Sequence, residues 1–81
     1  MARVRVSARA EASLESQDDY LRDRNPRAAD RLLDEIEGVL ALLSEHPLAG
    51  RPVEGRPYRA FVTRRSRFRI VYRVQQDEVV I

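Results

Sequence analysis

The sequence predicts an α+β domain in the order β-α-α-β-β-β, with an antiparallel helical hairpin packed on one face of a small, mostly antiparallel sheet. Three observations lead there. Ala29, Leu32, Leu33, Ile36, Val39, Leu40 and Leu43 recur at i, i+3, i+4, i+7 spacing and form one continuous helical stripe. Arg3-Val4-Arg5-Val6 alternates polar and apolar residues, the period of a strand with its valines inward. The stretch Arg56 to Val74, RPYRAFVTRRSRFRIVYRV, separates into a greasy side and a basic side when folded as a hairpin.

After the first strand, Ser7 stands where an N-cap belongs, its hydroxyl available to the free N–H groups of a new helix. Ala10, Leu14 and Leu21 then follow helical spacing with Tyr20 alongside, and Gln17 falls in the middle of their stripe. So weak a stripe predicts a lightly buried helix, or one with part of its face reserved for a partner. Asn25-Pro26 opens the second helix, with Asn as cap and proline at the first position, where its missing N–H costs nothing. Pro47 stops that helix, and Gly38 sits on its polar side. Gly50, Pro52, Gly55 and Pro57 mark residues 48–57 as a loop. The short connection between the helices predicts antiparallel packing.

For the hairpin, a three-residue turn at Arg64-Arg65-Ser66 sets Tyr58 against Tyr72, Ala60 against Ile70 and Val62 against Phe68 on the greasy side. Arg59, Arg67, Arg69 and Arg73 then share the other side, with Phe61 opposite Arg69 as a cation–π pair. A Gln75-Gln76 turn leads into a last strand, Asp77 to Ile81, whose end is expected at or near the sheet edge. The helices should cover the Phe68 and Ile70 side and leave the arginines in water. Arg64 and Arg65 have no evident duty in the turn, since turns favour Gly, Asn and Asp. Glu35 and Glu37 read as solvated helix charges, and His46 as a helix C-terminal histidine favoured by the dipole.

Composition excludes several classes. At 81 residues there is room for a single domain, residues 1–81. With no cysteine and one histidine, neither a disulfide framework nor a metal site is expected, and no cofactor motif is present. No apolar run approaches the ~20 residues that span a bilayer, and MARVRVSARA lacks the apolar core of a signal peptide. A cytoplasmic protein without membrane contact is expected. All fifteen basic residues are arginine, so every cation is a permanently charged planar fork suited to phosphate, and no lysine is available as a general base. Residues 1–47 carry seven arginines against ten acids, whereas residues 48–81 carry eight against three. That asymmetry suggests an anionic partner for the second half.

VRVSARAEASL, NPRAADRLLDEIEGVLALLSEHPLAGRPV and YRAFVTRRSRFRIVYRVQQDEVVI, in that order, resemble the ParE/RelE toxins of type II toxin–antitoxin systems, the ParE-like branch more closely. The resemblance covers nearly the whole chain. It implies a cognate antitoxin partner and poisoning of DNA gyrase without a covalent role for the toxin. The alternative branch implies a ribosome-dependent endonuclease acting on mRNA, in which Arg64 matches a functional arginine. Lysine is absent, and the second arginine and the tyrosine that such members carry after the last strand have no match in this sequence, so no catalytic residue is assigned beyond Arg64 under that alternative. Related chains commonly continue with a short basic tail that this sequence lacks, and a third reading is an inactive, antitoxin-binding remnant. Candidate target- or nucleic-acid-binding residues are Arg59, Arg64, Arg65, Arg67, Arg69 and Arg73. Candidate antitoxin contacts are Leu14, Gln17, Leu21 and Val80.

Overall fold

Two capping side chains build the helical hairpin. In the computed structural model, which describes residues 1–81, Ser7 Oγ accepts the Ala10 N–H at 3.1 Å and opens helix α1 (Ala8–Arg24). Asn25 closes α1 through its own N–H, donated to Leu21 O, and opens α2 (Pro26–Glu45) by accepting the Ala28 N–H at 3.2 Å. Arg22 locks the corner, pairing with Asp18 on its own helix and with Asp30 on the next, each at 3.0 Å. The second stripe behaves as expected: Ala29, Leu32, Ile36, Val39 and Leu43 are buried, whereas α1 buries no residue fully. Gly38 faces water, and a Cβ there would meet nothing within 4 Å. Gly38→Ala is therefore expected to stabilise the domain by about 1 kcal/mol through helix propensity, read as a raised urea midpoint.

The sheet has five strands: β1 (Arg3–Arg5), β2 (Arg51–Pro52), β3 (Arg59–Val62), β4 (Arg69–Gln75) and β5 (Glu78–Val80). Their order is β1-β5-β4-β3-β2, with β1 parallel to β5 and every other neighbour antiparallel. Strand β2 lies within the stretch expected to be a loop. It is a two-residue edge strand, where a proline lacking an N–H does no harm to the ladder. The last strand, whose end was expected at or near the sheet edge, is an interior strand. It is inserted between β1 and β4, because β1 lies outside it and binds it through Arg3 N–H to Asp77 O at 2.8 Å and Ile81 N–H to Arg5 O at 2.9 Å.

The helices cover one face. Leu32, Ile36, Val39 and Leu43 of α2 meet Ile70 and Tyr72 of β4 and Val79 of β5, with Phe61, Phe68, Val4 and Leu14 packed around them. Phe68, Ile70 and Tyr72 face the helices as expected, but strand β3 is turned over. Arg59 pairs with Tyr72, Phe61 with Ile70 and Val62 with Arg69, one residue out of the expected register. Such a slip exchanges the two faces of a strand. Phe61 and Thr63 therefore point inward, and Val62 is 51% exposed. The cause is a four-residue loop: Thr63 N–H donates to Phe68 O at 2.9 Å, and Phe68 N–H returns to Thr63 Oγ1 at 2.8 Å. Arg67 completes the turn at φ 54°, in the left-handed region. Phe61 and Arg69 thus lie on opposite faces, and the chain's cation–π contact is instead Arg24 over Tyr20, at 3.8 Å.

Tyr72 is 1% exposed, and its position was expected, but its partner is not Tyr58. The hydroxyl donates to Pro47 O at 2.7 Å and accepts the Gly50 N–H at 2.8 Å. It thereby ties the exit of α2 to the start of β2. No helix is long and apolar enough to cross a membrane.

Candidate functional site: an arginine tip and an open sheet face

Residues 64–67 form the tip between β3 and β4, and Arg64, Arg65 and Arg67 are exposed there. The tip is fastened to α2. Both oxygens of Glu35 accept backbone N–H groups, from Arg65 at 2.8 Å and from Ser66 at 2.9 Å. Glu35 is thus a clasp and not the solvated charge its helix position suggested. Nothing in the sequence signals this contact, because the partners lie 30 and 31 residues away. The Ser66 side chain, then the Arg65 N–H, hold the Glu35 carboxyl below the usual glutamate range. A lowered value means the clasp's contribution is complete above that range and is lost as pH falls through the lowered value. Amide shifts of Arg65 and Ser66 should titrate together, with a midpoint below that of a free glutamate. A midpoint at the ordinary value would show that the carboxylate is not held.

Side chains directly opposite each other in a ladder lie on the same face, so the register assigns the uncovered face. Arg69 and Arg73 of β4 lie on it, as expected. Arg59 does not. It shares the inward side with Tyr72, and its guanidinium donates to Gly50 O at 2.8 Å and Leu48 O at 3.4 Å, bracing the β2 approach. Three arginines that the sequence reading did not select take its place. Arg51 pairs with Ala60, and Arg3 and Arg5 pair with Glu78 and Val80, which sets all three on the open face. The alternation at Arg3 and Arg5 carried that signal, and only the sheet order shows that they join Arg69 and Arg73. Glu78 is the acid among them, and it pairs with Arg5 at 3.4 Å. Arg67 belongs to the tip and not to the sheet face.

The candidate antitoxin contacts do not gather in one place. Leu14 and Leu21 are half-buried against the core, and Gln17 is exposed on α1. Val80 lies on the open face beside Arg5 and Arg73. Leu14 also lines a groove of about 540 Å³ between α1 and β4, walled by Val6, Ala10, Leu40, Phe68 and Ile81. It lies open because β5 pairs with β4 only at Arg73–Gln75, so Arg69–Val71 has a strand partner on one side alone.

The ParE toxin of type II toxin-antitoxin system, parDE, is the family that matches, over residues 4–81. No curated protein matches the sequence. Among solved structures, a chain of the chromosomal ParDE TA system from P. aeruginosa superposes with a TM-score of 0.82 at 25% identity, across 100% of this chain and 90% of that one. With the family matched over nearly every residue, and with two helices laid on one side of this sheet order, the chain belongs to the ParE toxin family of type II toxin–antitoxin systems.

Proposed function

We propose that this protein poisons DNA gyrase and is neutralised by a cognate antitoxin. The observation that carries the reading is the family match across residues 4–81. The chemistry of the surface suits it. Arg64, Arg65 and Arg67 at the tip, with Arg3, Arg5, Arg51, Arg69 and Arg73 on the open face, offer permanently charged forks to the phosphates of a gyrase–DNA complex. The ribonuclease alternative would need a group to take the 2′-OH proton, and the tip supplies only arginines and Ser66. For the antitoxin, the groove beside α1 fits an extended apolar segment that pairs with the free edge of Arg69–Val71.

A supercoiling assay with purified gyrase tests the target. Inhibition with accumulation of cleaved DNA at micromolar protein is expected, and full supercoiling at that concentration would remove gyrase from the proposal. Hydrogen exchange tests the groove. Adding the antitoxin should slow exchange at the amides of Arg69 and Val71, and unchanged exchange there in a formed complex would place the antitoxin elsewhere.

A further inference from the structure

We propose that Glu35 is the positioning residue of the arginine tip: its carboxylate fixes residues 64–67 in one shape, so that Arg64, Arg65 and Arg67 meet the target already arranged. This rests on the gyrase reading above. Three observations carry it. First, Glu35 stands among arginines and pairs with none of them. The ion pairs of the chain are Arg5–Glu78, Arg22–Asp18 and Arg22–Asp30. Glu35 instead uses its two oxygens on the backbone N–H groups of Arg65 and Ser66. A carboxylate near exposed guanidiniums ordinarily takes one of them as partner. Here it holds the main chain and leaves every tip guanidinium free.

Second, the loop does not shape itself. Residues 64–67 read Arg-Arg-Ser-Arg, without the Gly, Asn or Asp that favour a turn, and Arg67 is held at φ 54°. Thr63 and Phe68 close the base of the loop, and Glu35 anchors its middle. Third, the anchor is rigid. Glu35 precedes the buried Ile36 on α2, the most deeply packed helix of the fold. A loop rich in long side chains that is ordered before binding has less entropy to lose on contact.

The test compares wild type, Glu35→Ala and Glu35→Gln in the full chain, with Val79→Ala, at a fully buried position of β5 paired to the end of β4 remote from the tip, as a variant destabilised elsewhere. Amide exchange at Arg65 and Ser66 reads the clasp, and gyrase inhibition reads the role. Glu35→Ala should lose amide protection and need about tenfold more protein for half-inhibition. Its inhibition at saturation should be unchanged, because the working shape is still sampled at lower population. Glu35→Gln, whose amide oxygen can accept one N–H, should fall between the two, and Val79→Ala should inhibit as wild type does.

The proposal is overturned if Glu35→Ala inhibits at wild-type concentration after its tip amides have lost protection. It is overturned equally if those amides stay protected, or if Val79→Ala shifts inhibition as far. Should wild type leave gyrase untouched, the target reading falls and the positioning role with it. The exchange arm would still report whether Glu35 clasps the loop.

Discussion

Gly50→Ala is expected to cost about 2–3 kcal/mol and to lower the melting temperature by roughly 10–20 °C in a domain of this size. A Cβ at residue 50 would stand 2.7 Å from both Cε1 and the hydroxyl oxygen of Tyr72, and 2.9 Å from Ala60 O. None of these atoms can move aside cheaply. Tyr72 is wedged in the core with its hydroxyl held from two sides, and Ala60 O belongs to β3, next to β2. The strain would fall on the short edge strand, and β2 should detach before the rest of the sheet. Thermal unfolding followed by circular dichroism measures the shift. A change under ~1 °C would mean that this close approach is not a tight one.

Tyr72→Phe is the second large effect, expected at about 2 kcal/mol although only one oxygen is removed. That oxygen serves as donor to Pro47 and acceptor for Gly50. Gly50 is buried, so its N–H would be left without a partner and without ready access to water. The loss should appear as a lower urea midpoint at unchanged slope, since the core keeps its ring. Combined with Gly50→Ala, the two costs should sum to less than their separate values, because removing the hydroxyl removes one of the three close contacts.

Much of this fold was legible because its signals are local. The stripe from Ala29 to Leu43, the Asn25-Pro26 start and the Arg3–Arg5 alternation each specify an element without help from distant residues. The register of β3 was not legible, and the reason is physical. Ala60 and Val62 are apolar on one side of that strand and Phe61 on the other, so its own pattern selects no face. The choice is made elsewhere, by the Thr63 hydroxyl at the base of the loop and by Glu35 reaching across from α2. Arg59 moved to the inward side for that reason. Strand β2 was hidden by the glycines and prolines around it, since the contacts that order its approach come from the side chains of Arg59 and, 22 residues beyond Gly50, Tyr72. In the candidate surface, Arg64, Arg65, Arg69 and Arg73 could be chosen from composition and alternation. The contribution of Arg3, Arg5 and Arg51 required knowing which strands are neighbours.

The placement of β5 between β1 and β4 has a consequence for synthesis. Of the five strands β1 is made first, yet it is among the last to find its neighbour, because the partners of Arg3, Val4 and Arg5 are residues 78–80. At the usual pace of translation, about 5–20 residues per second, β1 waits several seconds while the residues between it and β5 are made. A nascent chain is therefore toxin in sequence well before it is toxin in shape, an interval in which an antitoxin already present could take hold of it.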